Sequence, residues 1–301
     1  LFFYVAGVEI SKFLSKFAPK KIGGVASRRP YNTKEESLPP PVAVRLHYNK
    51  IKMEALEFFR NRHTVRTFSN REITDAELRS LIEASSHAPN TGNMQWYSVV
   101  ATRSAEGKRR LSPLHFGQPC VESCAVVLTF CVDLRRFEHW CRLGAAVPGF
   151  ENPQSFFAAF LDASIFAQQT CTLAEQMGMG GCFLGTTLYN APHIAEVLEL
   201  PERVVPIITL ALGWPDTEGE PSWRLPADAV LHMEKYNEAD DARIREDYAS
   251  LEALPESAGF IEENGKETLA QVFTDIRYTR QAAEQFSATL MRYLRQNRFF
   301  C

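Results

Sequence analysis

DASIFAQQTCTLAEQMGMGGCFLGTT, residues 162–187, is the stretch from which the rest of the chain can be read. Ala163, Phe166, Ala167, Cys171, Ala174 and Met177 recur at three- and four-residue steps, which predicts a helix with one apolar face. Gly178 follows the last helical turn, where a left-handed residue ends a helix most cheaply. Gly180 and Gly181 permit a sharp reversal into a short apolar strand, Cys182–Leu184, closed by Gly185. Glycines there also let backbone come close to something flat or anionic. Taken alone, the stretch is equally a plain helix–turn–strand connection.

Outward from it, the chain reads as alternating helices and buried strands. Val204–Leu212 and Ala125–Val132 (AVVLTFCV) are continuous apolar runs, hence strands covered on both faces, and Ser98–Thr102 is a third strand. Thr74-Asp75-Ala76-Glu77 has capping-box spacing and opens a helix through Leu78, Leu81, Ile82 and Ala84. Residues 53–61 read as a short helix with Leu56 and Phe59 inward, and residues 192–200 as another with Asn190 as its cap. Residues 103–120 are a helix-and-loop connection, and residues 133–160 a helix-and-loop excursion before the long helix. Residues 236–265 are strongly charged surface, residues 269–277 are strand- or loop-like, and residues 278–295 form an amphipathic helix using Ala282, Phe286, Leu290 and Leu294. With no evident partner for that apolar face, packing on another subunit is expected.

Residues 1–52 differ, with clustered cations at Lys20, Lys21, Arg28 and Arg29 and a proline run at 39–41. They read as an extension of uncertain structure, with the working domain over 53–232 and a charged segment and arm over 233–301. Composition is that of an ordinary globular protein: 45% hydrophobic, 23% charged, formal charge −3. That charge argues against a nucleic-acid binder, and no apolar run approaches the ~20 residues that span a bilayer. The seven cysteines form no C-x-x-C pair and several sit in apolar runs, which reads as reduced thiols in a cytoplasmic protein with no zinc site or disulfide framework.

The polar segments carry the chemistry. Arg62-His63-Thr64-Val65-Arg66-Thr67-Phe68 offers fork-shaped cations suited to a phosphate. Ala88-Pro89-Asn90-Thr91-Gly92-Asn93-Met94-Gln95-Trp96-Tyr97 offers amides in a turn. Neither set needs a ligand to explain it: the arginines could be a solvated face and the amides satisfied turn residues.

In order and wording these segments resemble the nitroreductase family of FMN-dependent oxidoreductases. Arg62–Phe68 matches its basic opening, Ala88–Tyr97 matches A-P-S-x-x-N-x-Q-P-W in part, and Gly178–Gly180 matches its G-[LM]-G helix end. Gly185 matches an inward glycine on the next strand, and Leu200-Pro201 with Pro206 and Leu212–Pro215 match its last motif. The resemblance covers about residues 53–232. Asn90 stands where the family usually has serine, and Trp96-Tyr97 replaces Pro-Trp.

The resemblance implies an α+β fold, a mostly antiparallel central sheet flanked by helices, with a C-terminal arm exchanged across a homodimer. It implies FMN bound at the dimer interface. Arg62, His63, Thr64 and Arg66 would hold the phosphate, ribityl and pyrimidine end, and Arg224 would close on the phosphate. Asn90, Thr91 and Asn93 would reach the flavin from the other subunit, the Leu184–Gly185 backbone would approach N5, and Gln118 would border the ring. The implied reaction is hydride transfer from NADPH or NADH to the flavin, then reduction of a nitroaromatic, quinone or similar conjugated acceptor, a ping-pong cycle needing no catalytic side chain. Two other readings stay open: a reductive dehalogenase with residues 133–160 as its lid, and a non-catalytic FMN-binding protein.

Overall fold

Four antiparallel strands form one sheet in the order β1-β2-β4-β3: β1 (Tyr97–Thr102), β2 (Val126–Asp133), β3 (Gly180–Leu184) and β4 (Val204–Gly213). The structure is a computed structural model and describes residues 54–300, of which those from Leu56 onward belong to one unit. Expectations for residues 1–52 lie outside the described residues.

β2 and β4 form the centre, with every residue of β2 buried. Their alternation divides two cores. Val126, Leu128, Phe130 and Val132 face one side with Leu210 and Leu212, while Val127 and Ala211 face the other. The first side is covered by α1 (Asp75–Ser85) and by α5 (Pro153–Gln176), through Ala159, Ala163, Phe166, Ala167, Cys171 and Ala174. The second is covered by α2 (Ala105–Leu111), α3 (Pro119–Ser123) and α6 (Ala191–Val197), through Leu111, Cys120, Val121 and Ile194. The central strands are therefore apolar without period, as their runs predict.

The Thr74–Glu77 capping box forms at the start of α1. α5 ends as expected, with Gly178 at φ +85. It starts nine residues earlier than residue 162, at Pro153, with the Asn152 side chain accepting from the Ser155 N–H. The excursion before it holds α4 (Arg135–Leu143). Asn190 occupies the N-cap position of α6 as expected, but its side chain makes no capping bond; its Nδ2 donates to the Leu114 carbonyl at 2.7 Å and ties that helix to the 112–118 turn. In the helix at 54–60, Leu56 and Phe59 are exposed, not inward.

The C-terminal region departs most from its sequence reading. Residues 269–277 are helical, a short α-turn opened by a Thr268–Gln271 capping box and continued as a π-helical turn over Val272–Arg277. They follow two surface helices, α7 (Asp241–Glu252) and α8 (Pro255–Glu263). The final helix, α9 (Arg280–Gln296), finds its apolar partner in its own chain. Phe286 stacks on Tyr189 at 4.6 Å, and Leu294 and Phe299 enter the core under α5. Arg203, held at φ +74, locks this end. Its guanidinium is buried against Glu138, donates to the Asn297 and Phe150 carbonyls at 3.0 Å, and lies over the Phe299 ring. An apolar face with no visible partner in sequence is here paired by residues about a hundred positions away.

Candidate functional site

The 62–68 segment runs beside the outer edge of β3. The Val65 N–H donates to the Gly181 carbonyl at 3.1 Å, and Phe68 bridges Pro215, just past the end of β4 that pairs with Gly180. Gly180 is glycine for this reason: a Cβ there would stand 2.4 Å from the Val65 side chain. At Gly181 a Cβ would meet Leu210 at 2.8 Å. Both close approaches expected of the glycine turn are thus made by the protein itself. Gly185 is the exception, since a Cβ there would meet nothing within 4 Å. Its backbone is the open one.

Arg62 and Arg66 reach the same neighbourhood by different routes. Arg62 Nε pairs with Glu175 in the last turn of α5 at 3.1 Å. Arg66 has no carboxylate partner among the described residues; its guanidinium meets the Cys182 thiol in β3. The neighbouring Cys120 thiol first, then Arg66 and Arg62, hold Cys182 below the usual thiol range against the effect of burial. The same contact pushes Cys120 far up. Gln118, two residues before Cys120, donates from Nε2 to the His115 carbonyl at 3.1 Å.

His115 joins this turn to the end of β3. Its ring is wholly buried, and Nδ1 lies 2.8 Å from the Thr186 hydroxyl, next to Gly185. Nε2 is buried without a partner, and burial lowers the imidazole to about 4. Thr187, also fully buried, donates to the Leu184 carbonyl at 2.7 Å and lies 2.9 Å from the Thr209 hydroxyl of β4. The Leu184 carbonyl is therefore occupied and its side chain is buried, leaving the exposed Gly185 backbone as the part that can meet a ligand. Arg62, Thr64, Arg66, Gln118, Leu184 and Gly185 thus fall on one side of the molecule.

His63 stands between two hollows, one shared with Arg62, Val65, Glu175 and Gly180 and the other with the 215–221 segment. Its Nδ1 lies 3.2 Å from the Asn61 carbonyl, and its ring packs on Gly219, where a Cβ would stand 2.4 Å from it. The cavity beside it also carries Asp216, Glu218 and Glu220, a lining that repels phosphate. The same 215–221 segment leads to Arg224, which is exposed and bonded only locally, to Ser222 and the Trp223 carbonyl.

Asn90, Thr91 and Asn93 lie elsewhere. The Thr91 N–H and hydroxyl both donate to Asp162 Oδ1 at 2.9 Å. Asp162 and Glu175 sit thirteen residues apart on α5, about 20 Å along one helix. Within one protomer the amide loop meets the middle of that helix and the arginine group its C-terminal end. Sequence reasoning passed over Asp162, Glu175 and His115. Asp162 alone carried a signal, an acid set among Ala159, Ala163 and Phe166 on the buried face of α5.

An arginine-bearing segment along the β3 edge, with an open glycine backbone where that strand ends, is the arrangement on which comparison with known proteins bears. The nitroreductase family profile matches residues 59–214, just over half of the chain and all four strands. The chain belongs to the nitroreductase family. It is an NAD(P)H-dependent flavin oxidoreductase whose cofactor is FMN. Among relatives, it is 32% identical over 191 residues to an FMN reductase (NADPH) of Bacillus subtilis, covering 62% of this chain and 77% of that protein. It is 29% identical over 189 residues to an oxygen-insensitive NADPH nitroreductase of Salmonella typhimurium, covering 62% and 76%. A crystal structure of a Bacteroides fragilis protein superposes with a TM-score of 0.80 at 46% identity, over 81% of this chain and all of that one. The nitroreductase fold is thus the one observed, an α+β sandwich around an antiparallel sheet.

Proposed function

We propose that this nitroreductase works as a homodimer that reduces nitroaromatics, quinones or similar conjugated electrophiles with electrons from NADPH or NADH, in a ping-pong cycle. The observation that carries the reading is an arginine with no carboxylate partner among the described residues, Arg66, and an open glycine backbone, Gly185, both along β3. The residues present fit FMN: Arg66 supplies a fixed fork for the phosphate, and Gly185 lets the ring lie against backbone. Arg62, tied to Glu175, holds the segment in place while presenting its remaining N–H groups, and Thr64 lies between the two arginines. Arg224 closes over the phosphate from the 215–221 segment, with His63 fixing that segment, and Gln118 borders the ring. Bound FMN supplies the redox step, accepting hydride from the nicotinamide and passing electrons to the acceptor. The chain's own work is to bind, orient and shield.

Two features support the dimer. Phe157, Leu161 and Ile165 form an exposed apolar stripe at four-residue spacing on α5, each more than 40% exposed. Val230, Leu231, Met233, Tyr236, Ile244 and Tyr248 add exposed apolar surface on the segment leading into α7. The stripe lies on the half of α5 that carries the amide loop, so a second protomer seated there brings Asn90 and Asn93 to its partner's arginine side. The embrace then belongs to residues 230–263, since α9 is docked on its own protomer. Buried, unpaired thiols fit a reducing cytoplasm, and no helix among the described residues is long and apolar enough to cross a membrane.

The deciding experiment is a visible spectrum of the purified protein, repeated anaerobically with NADPH and then with NADH. Bleaching that is reversed by a quinone supports the cycle. A flavin that stays oxidised with both donors refutes it, and good turnover of a halogenated phenol with poor turnover of quinones reassigns the reaction to dehalogenation.

A further inference from the structure

The loop at residues 90–95 holds an uncommon backbone. Gly92, Asn93 and Gln95 all sit at positive φ, +57, +57 and +52, and for asparagine and glutamine that conformation costs energy. Such a loop persists only when its surroundings fix it. Its C-terminal side is fixed by Arg136, whose Nη2 donates to the Gln95 and Tyr97 carbonyls at 2.8 and 2.9 Å. Within the loop, the Met94 N–H donates to the Thr91 carbonyl at 3.0 Å, while the side-chain bonds are longer: Gln95 N–H to Asn90 Oδ1 at 3.3 Å, and Gln95 Nε2 to Asn93 Oδ1 at 3.4 Å. The side-chain bonds that tie the loop to α5 are the pair from Thr91 to Asp162 Oδ1.

Asp162 is an expensive choice for that task. It is 3% exposed, in the middle of α5, and no cation pairs with it among the described residues. Its second oxygen, Oδ2, is buried with no hydrogen-bond partner. Burial raises its pKa although both Thr91 bonds pull the other way. A serine or asparagine would satisfy Thr91 at lower desolvation cost. What a carboxylate adds is a charge-assisted acceptor, roughly twice as strong as a neutral one, at one fixed point under the loop.

We infer that Asp162 is the positioning residue that sets the cofactor affinity of the Asn90–Asn93 loop, by locking Thr91 so that both asparagine side chains are held ready for the flavin. Thr91 spends its donors inward and is the loop's anchor, which leaves Asn90 and Asn93 to face the cofactor. This rests on the proposal that the loop meets FMN across the dimer.

The test is FMN affinity, read by flavin fluorescence, with the apoprotein's melting temperature and dimer state measured beside it. Asn93→Ala checks the underlying reading, and Asp162→Ala and Asp162→Asn check this one. Asp162→Ala is expected to raise the Kd about tenfold, as loss of two charge-assisted bonds from a loop contact should. Asp162→Asn, whose amide oxygen can accept both bonds, is expected within about threefold of wild type, with a melting temperature unchanged or higher because the buried charge is gone. A role in stability alone would move melting temperature and affinity together. If Asp162→Ala does not fold, Thr91→Val removes one of the same bonds from the exposed side and is expected to weaken binding about threefold. Unchanged affinity in Asp162→Ala or Thr91→Val, with weakened affinity in Asn93→Ala, overturns the positioning role. Unchanged affinity in Asn93→Ala removes the loop from the site and takes this inference with it.

Discussion

Acid should strip this protein of stability through one buried ring, His115. The imidazole is fully buried, Nε2 has no partner, and burial lowers its pKa from 6.5 to about 4. A base harder to protonate folded than unfolded contributes stability that is whole above about pH 6.5 and lost as pH falls toward 4. At about 1.4 kcal/mol for each pH unit of displacement, the loss from this one residue is about 2–3 kcal/mol by pH 4.5. That is a large share of a typical domain's stability. The perturbation is His115→Gln, which keeps a hydrogen-bonding group near Thr186 and removes the titration. The assay is urea denaturation of both proteins at pH 7, 6, 5 and 4.5. The wild type should lose about 2–3 kcal/mol more than the variant over that range. Asp162, whose raised pKa works in the opposite direction, is common to both and cancels. Because His115 also holds Thr186 beside Gly185, wild-type FMN affinity should fall over the same window while the variant's stays nearly flat. Parallel loss in the two proteins would mean that burial does not keep the ring neutral.

Other outcomes follow from the same geometry. Gly180→Ala places a methyl 2.4 Å from Val65 and should cost about 1–3 kcal/mol in chemical denaturation, whereas Gly185→Ala meets open space and should stay within about 0.5 kcal/mol while weakening FMN binding. Arg66→Ala should raise the FMN Kd about tenfold or more, as loss of a charge-assisted phosphate contact does, and should leave the melting temperature nearly unchanged because no carboxylate is stranded. Arg62→Ala should lower both flavin retention and stability, since it leaves Glu175 unpaired at 12% exposure. Arg203→Met should cost about 3–5 kcal/mol by abandoning the buried Glu138 charge, and limited proteolysis should then cut the C-terminal end after α9.

Local chemistry determined much of this protein directly from its sequence. The capping box at Thr74, the left-handed Gly178 and the apolar runs of β2 and β4 are short-range signals, and each formed where it was read. The basic segment at Arg62–Phe68, the amide loop at Asn90–Asn93 and the glycine at 185 stood out in sequence by their residue types and by their order, which is that of the family the chain belongs to. Tertiary structure decided what those residues do once neighbours are fixed. It brought Val65 against Gly180, so that a glycine suited to a ligand serves packing and only Gly185 stays open. It paired Arg62 with Glu175 and set Arg66 beside Cys182 with no carboxylate partner among the described residues, a difference that two arginines four residues apart cannot display in sequence. It turned His63 toward an acidic cavity, and it gave α9 a partner in its own chain through Tyr189, Arg203 and Phe299. Periodicity reports that a face is apolar, but what covers it is set by contacts between residues a hundred positions apart, whose closure has no local signature.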